Sequence, residues 1–145
     1  MRLPKSVRER FRSYGREGGC ARAARMRPEA RQRVARQAAL RRWIRVRFGA
    51  PRFAALALPG GETIDAGLAA LAAGEESIES LLVSLAAPRL KREGVPIPRE
   101  VFADADVRLY RRLERTYGDL AHARYLAYLR QVVSFANACS SARVN

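Results

Sequence analysis

The apolar residues in the last part of the chain recur with the period of an α-helix. Across residues 120–139 they share one broad face, opposite a face of arginine, glutamine, serine and asparagine: Ala121, Tyr125, Tyr128, Leu129, Val132, Val133, Phe135 and Ala136. A helix with one broad apolar face docks on a core. Because no alternating strand pattern of useful length is present, the sequence predicts an all-α fold.

The preceding residues repeat this pattern in shorter segments. One helix ends at Gly74, a second is interrupted by Pro88 and closed by Gly94, and a third covers about residues 104–117. We expect the third helix to bury its apolar side chains, which are Val107, Tyr110, Leu113 and Tyr117. The prediction is a compact helical body of about four to five helices.

The beginning of the chain predicts a basic arm and one long helix. Residues 28–48 start with Pro28 and Glu29, which favour a first helical turn, and stop at Gly49-Ala50-Pro51. Residues 4–14 predict a short helix that is broken by the glycines at 15, 18 and 19. The body therefore follows an N-terminal arm and a rod of roughly 30 Å, at 1.5 Å per residue.

The positive charge is confined to this first third. The net charge is +14, and residues 1–52 account for all of it, with sixteen arginines and Lys5 against three glutamates. Residues 53–145 are neutral. We therefore divide the chain into a basic Arg-rich arm and helix (1–52) and a neutral helical body (53–145), and expect a polyanionic partner.

The long helix has only a narrow apolar stripe. At 100° per residue, the residues on this stripe are Ala35, Ala39, Trp43 and Val46, and arginines cover most of the remaining circumference. Such a stripe buries little area, so the helix is expected to need a partner: the body, another copy or nucleic acid. The stripe is the predicted partner-docking surface.

Arginines of the arm and helix are the candidate nucleic-acid-binding residues. Guanidinium groups grip phosphates through paired hydrogen bonds, and a helix N-terminus also attracts anions. The candidates are Arg16, Arg22, Arg25, Arg27, Arg31, Arg33, Arg36, Arg41, Arg42, Arg45 and Arg47. Phosphate contacts do not separate DNA from RNA, nor do they give sequence specificity. A second basic stripe, Arg108, Arg111, Arg112 and Arg115, is interpreted as a solvated face.

Few residues suit catalysis. Cys20, His122 and Cys139 are too few and too scattered for a Cys/His metal site, and neither a nucleophile elbow nor a phosphate loop is present. The acidic clusters, Glu62 with Asp65 and Glu75, Glu76 and Glu79, are interpreted as solvated helix caps. We expect no metal, no cofactor and no enzymatic activity, unless another chain contributes active-site residues.

The sequence also predicts a cytoplasmic protein, with association to the nucleoid as an option. Residues 1–15 lack an apolar signal core, and the longest apolar runs, 53–59 and 81–88, are far shorter than the ~20 residues that span a bilayer. A homodimer would present two basic arms to a palindromic site, but one chain does not reveal symmetry. Whether the body holds a hydrophobic ligand between its helices is equally open.

Residues 15–43 contain a Gly-Gly-x-Ala-Arg-Ala-x-x-Met-x-Pro-Glu-x-Arg segment and an Ala-rich basic run that ends in Arg42-Trp43. This stretch resembles small bacterial, phage and plasmid proteins that are often encoded near toxin–antitoxin or defence loci. It departs from that pattern at Cys20, where a basic residue is usual. The resemblance implies a DNA-binding regulator of transcription or an antitoxin-like protein rather than a catalyst.

Two functions therefore compete. The first is a non-catalytic nucleic-acid-binding protein, with DNA favoured over RNA, that grips phosphates with its N-terminal third. The second is a protein-interaction module, whose basic helix docks on and neutralises an acidic partner such as a toxin or nuclease. In the second case Trp43 would be the anchor.

Overall fold

The protein is helical throughout the described part of the chain. A computed structural model describes residues 4–142, and within them there is no strand, which confirms the all-α fold class. Two 3₁₀ turns, Phe53–Leu56 and Gly118–Leu120, punctuate the α-helices. The helices are α1 (Lys5–Arg25), α2 (Pro28–Phe48), α3 (Gly61–Ala73), α4 (Ile78–Arg92), α5 (Ala105–Tyr117) and α6 (Ala121–Ala142).

The chain forms two compact units that divide between Ala35 and Arg36, within α2. The first unit contains α1 and the beginning of α2, and α1 has no buried residue. The second unit contains the rest of α2 and the helices α3–α6, with a single apolar core. The boundary after residue 52 was drawn from charge, a different property, and stays a prediction.

Helix α1 runs through the three glycines that were expected to break it. Gly15, Gly18 and Gly19 all lie inside Lys5–Arg25, and none of them has a positive φ angle. A glycine inside a helix lowers its stability by about 1 kcal/mol relative to alanine. Glycines that end helices usually adopt the left-handed backbone conformation, which these three do not. The arginines and alanines around these glycines are good helix formers, so the helix continues to Arg25.

The core is built around Phe53, which is fully buried in the 3₁₀ turn after α2. Its ring packs edge-on against Phe48 of α2, with centroids 5.2 Å apart, and against Phe135 of α6, at 5.0 Å. Edge-to-face pairs at this distance add stability beyond the area they bury. Ile44 is buried with Phe48, so the last turns of α2 belong to the core.

Asp65 of α3 fixes the backbone of the same turn. Its Oδ1 accepts a hydrogen bond from Phe53 N at 3.1 Å, and its Oδ2 accepts one from Ala54 N at 2.9 Å. These amides begin a short helix and have no partner in their own turn. Asp65 is therefore a cap for a neighbouring element, and its interpretation as a solvated cap of its own helix is wrong.

Helices α3 and α4 approach closely at Gly67. A Cβ atom there would lie 2.5 Å from Val83 Cγ2 and would overlap the carbonyl oxygen of Glu79. Farther along, α4 continues through Pro88 to Arg92, so the predicted interruption is wrong. Pro88 is exposed, whereas Ala87 and Leu90 beside it are buried, and this packing holds the helix together.

Helices α5 and α6 complete the core. The amphipathic pattern of α6 is confirmed by its buried residues Val132, Phe135 and Ala136, although Val133 is exposed. In α5 the buried residues are Ala105, Leu109 and Leu113, so of the four expected residues Leu113 is buried, Tyr110 and Tyr117 are half-buried, and Val107 is 46% exposed.

We predict that Gly67→Ala destabilises the protein. The added methyl group must separate α3 from α4, and overpacking of this kind costs about 1–3 kcal/mol. Chemical denaturation should show the loss as a lower midpoint. Gly19→Ala is the matched control, because Gly19 lies in exposed α1 with nothing within 4 Å of its new Cβ atom. Equal midpoints for the two variants would contradict the close contact.

Asp65→Ala should also lower the free energy of unfolding. It leaves the Phe53 and Ala54 amides without their acceptor, at a cost of about 1–3 kcal/mol for each unsatisfied group that stays buried. Glu62→Ala removes an exposed carboxylate from the same helix and serves as the control in the same denaturation series. An Asp65→Ala midpoint no lower than that of Glu62→Ala would show that the cap is dispensable.

Candidate nucleic-acid interface

The end of α2 and the turn that follows it place four arginines around one concavity. Gly49, at φ +78°, ends α2 in the left-handed conformation, and its N–H donates to the carbonyl of Arg45. The chain then turns through Ala50 and Pro51. The concavity, here called the arginine basin, has a volume of about 620 Å³ and is lined by Ala38, Arg41, Arg42, Arg45, Pro51 and Arg52.

The arginine basin has no carboxylate in its lining. Its four guanidinium groups are exposed, and none of them forms an ion pair within residues 4–142, where both ion pairs belong to Glu76. Clustered cations on a low-dielectric wall raise the local concentration of anions. Guanidinium groups also match the geometry of phosphate oxygens. The arginine basin is thus suited to bind a phosphate or another multivalent oxyanion.

Arg52 is the member of the arginine basin that sequence reasoning missed. It directly precedes Phe53, whose buried ring and Asp65-bound amide fix the position of the chain there. The sequence held a signal for this: residues 49–52 form a four-residue connection between α2 and the apolar Phe53, short enough to keep Arg52 beside the end of that helix. The sequence analysis used Arg52 only as the boundary of the basic third and did not place it beside α2.

A second concavity of about 480 Å³ adjoins the arginine basin and has mixed charge. Arg41 and Arg52 contribute to both, but here the lining also includes Glu62 and Asp65 of α3. Carboxylates repel phosphate, so the positive potential is strongest on the side of Arg42 and Arg45. The carboxylates thus leave only one side of the pair Arg41 and Arg52 suited to an anion.

The other candidate arginines are exposed but are not gathered in the arginine basin. In the second unit, Arg36 lines a different concavity, and Arg47 lies about 200° around α2 from Arg45. The remaining candidates are exposed in the first unit, on α1, at the α1–α2 junction and on early α2. They are Arg16, Arg22, Arg25, Arg27, Arg31 and Arg33.

The predicted docking stripe and the face of α2 that packs on the body differ. Ala35 and Ala39 are exposed, Val46 is 76% exposed, and only Trp43 is half-buried, with its ring 5.9 Å from that of Phe48. The core contacts come from Ile44 and Phe48, with Leu40 and Trp43 packed against the same cluster, so Trp43 alone belongs to both faces. Sequence reasoning chose the stripe of small residues and missed the larger side chains of Leu40, Ile44 and Phe48 among the arginines.

The basic stripe on α5 is partly neutralised. Glu76 accepts from Arg108 and, at 3.3 Å, from Arg112. Arg108 also lies over the ring of Phe102, 5.0 Å from its centroid. Glu76 is therefore an ion-pair partner rather than a solvated cap. Of the predicted stripe, Arg111 and Arg115 remain as exposed cations.

Few side chains in residues 4–142 are arranged to bind a metal ion. No group of three or more potential metal ligands occurs there. Cys20 is exposed, Cys139 is buried, and His122 is exposed beside Tyr110. Desolvation raises the pKa of Tyr128 above its ordinary value of 10.0, and Tyr117 and Glu79 raise it further. This phenol is therefore protonated near neutral pH.

None of the helices in the described range is both long enough and apolar enough to span a bilayer.

No known protein family, curated protein or solved structure matches the chain. The features of the chain that bear on its function are therefore its own geometry and charge, above all the arginine basin and the exposed arginines of the first unit.

Proposed function

We propose that the protein is a non-catalytic nucleic-acid-binding protein that grips phosphates with its Arg-rich N-terminal third. The observation that carries the proposal is the arginine basin, in which Arg41, Arg42, Arg45 and Arg52 converge without a carboxylate in the lining. The exposed arginines of the first unit supply further phosphate contacts.

DNA is the favoured polymer. The exposed arginines of α2 occur along a single helix, and an α-helix fits the major groove of B-form DNA, about 12 Å wide. The deep, narrow major groove of A-form RNA does not admit side chains in the same way. The more specific role, a transcription regulator or an antitoxin-like protein acting in the cytoplasm, rests on the resemblance of residues 15–43.

Neutralising the arginine basin should weaken DNA binding and flatten its salt dependence. We predict that Arg41→Gln/Arg42→Gln/Arg45→Gln/Arg52→Gln reduces the slope of log K against log salt by up to about 4, because each lost phosphate contact contributes about 0.9. The measurement is fluorescence anisotropy of labelled duplex DNA over a salt series. The full chain is required, since Ile44 and Phe48 of α2 belong to the core.

The control variant carries the same change in net charge at exposed arginines elsewhere in the second unit: Arg92, Arg111, Arg115 and Arg130, each changed to glutamine. A smaller loss in this control than in the basin variant supports a localised site. Equal losses would mean that net charge alone attracts DNA, and the proposal would then fail. A parallel titration with single-stranded RNA tests the preference for DNA.

A protein partner is the second candidate, and the exposure of Val46 favours it. Val46 presents an apolar side chain among arginines on α2 and makes no core contact. Trp43 is a poorer probe than sequence suggested, because its ring packs against Phe48. If nucleic acid fails to bind near physiological salt, this second function predicts that Val46→Asp abolishes capture of an acidic protein without changing the unfolding midpoint.

A further inference from the structure

The second unit contains a third concavity on α2, distinct from the arginine basin and from the mixed-charge concavity beside it. Its volume is about 480 Å³, within the range of small-molecule sites, about 300–1,000 Å³. Leu40 and Trp43 of α2 contribute one side, and Leu68, Leu71 and Ala72 of α3 contribute another. The connector before α5 provides the third side. We call this the Trp43 groove.

The Trp43 groove is kept open by small and rigid residues. Ala39 and Ala72 stand where larger side chains would fill the space. Pro96 and Pro98 fix φ along the connector, which is further held by the buried side chain of Val95 and by an Ile97 N–H bond to the Val95 carbonyl at 3.0 Å. The groove is therefore a built feature of the second unit, with apolar walls.

Three of the residues that line the Trp43 groove are charged. They are Arg36 from α2, and Arg99 and Glu100 from the connector, and all three are exposed. No ion pair joins any of them to another residue of the described chain. These three side chains together carry one net positive charge, which a single bound carboxylate would balance. A phosphate or a polyanion would bring more negative charge than these side chains neutralise.

From this pattern we propose that the Trp43 groove binds an apolar monocarboxylic acid. The hydrocarbon part packs on Trp43 and the leucines, and the carboxylate accepts hydrogen bonds from Arg36 and Arg99. A nucleobase fits less well, because the apolar walls offer no polar side chain to its hydrogen-bonding edges. The inference does not depend on nucleic-acid binding, since Arg99 and the α3 side chains lie outside the arginine basin.

Trp43 provides a direct readout, because it is the only tryptophan in the chain. Titration of the full protein with dodecanoate, below its micellar concentration, should change Trp43 fluorescence saturably, and calorimetry should give one site per chain. Dodecanol should bind about tenfold more weakly, because it lacks the charge-assisted hydrogen bonds. Several sites per chain, or no saturable change, would overturn the proposal.

Two variants separate the groove from general adsorption to a basic surface. Arg36→Gln/Arg99→Gln should weaken dodecanoate binding about tenfold, whereas Arg111→Gln/Arg115→Gln, with the same change in charge, should not. Ala39→Phe, at an exposed helical position, should fill the groove and abolish the calorimetric signal while the unfolding midpoint is retained. Undiminished binding in Ala39→Phe, or equal losses in the two arginine pairs, would refute the site, whatever the outcome with DNA.

Discussion

The burial of Phe53 is the interaction on which the second unit depends. Its ring joins α2 to α6 through Phe48 and Phe135, and its amide is bound by Asp65 of α3. One residue thus connects α2 and α3 to α6, which lies far from them in the sequence. Because Arg52 directly precedes it, the same contact that closes the core also completes the arginine basin.

This anchoring resolves a physical difficulty of α2. A helix so rich in arginine buries little apolar surface of its own, and its like charges oppose compact packing. Ile44 and Phe48 suffice only because Phe53 and Leu40 enlarge the apolar contact from either end. The arginines between these anchors stay in water, where their charge costs less than it would in the core.

Local patterns in the sequence predicted most of the helices but not their contacts. The limits of α2 follow from Pro28 and Gly49, and the face of α6 follows from its period, because both signals are contained in neighbouring residues. Pro88 and the glycines of α1 predicted helix ends that are absent from the structure. At Pro88 tertiary packing outweighs the local effect of proline, and the glycines of α1 adopt helical backbone angles. Arg52 in the basin and the pairing of Glu76 with Arg108 and Arg112 required knowledge of which distant elements meet.

The arginine basin and the Trp43 groove use one helix for opposite chemistries. Arg41, Arg42 and Arg45 border the basin, while Leu40 and Trp43 border the groove, so residues adjacent in sequence line different concavities. The helical period makes this possible, because successive residues are turned by about 100°. If the proposed anion binds in the basin, its charge would offset the repulsion among these arginines, and binding to the folded state alone would raise stability. The buried side chains of Ile44, Phe48 and Phe53 stabilise the fold enough to tolerate the repulsion among the arginines.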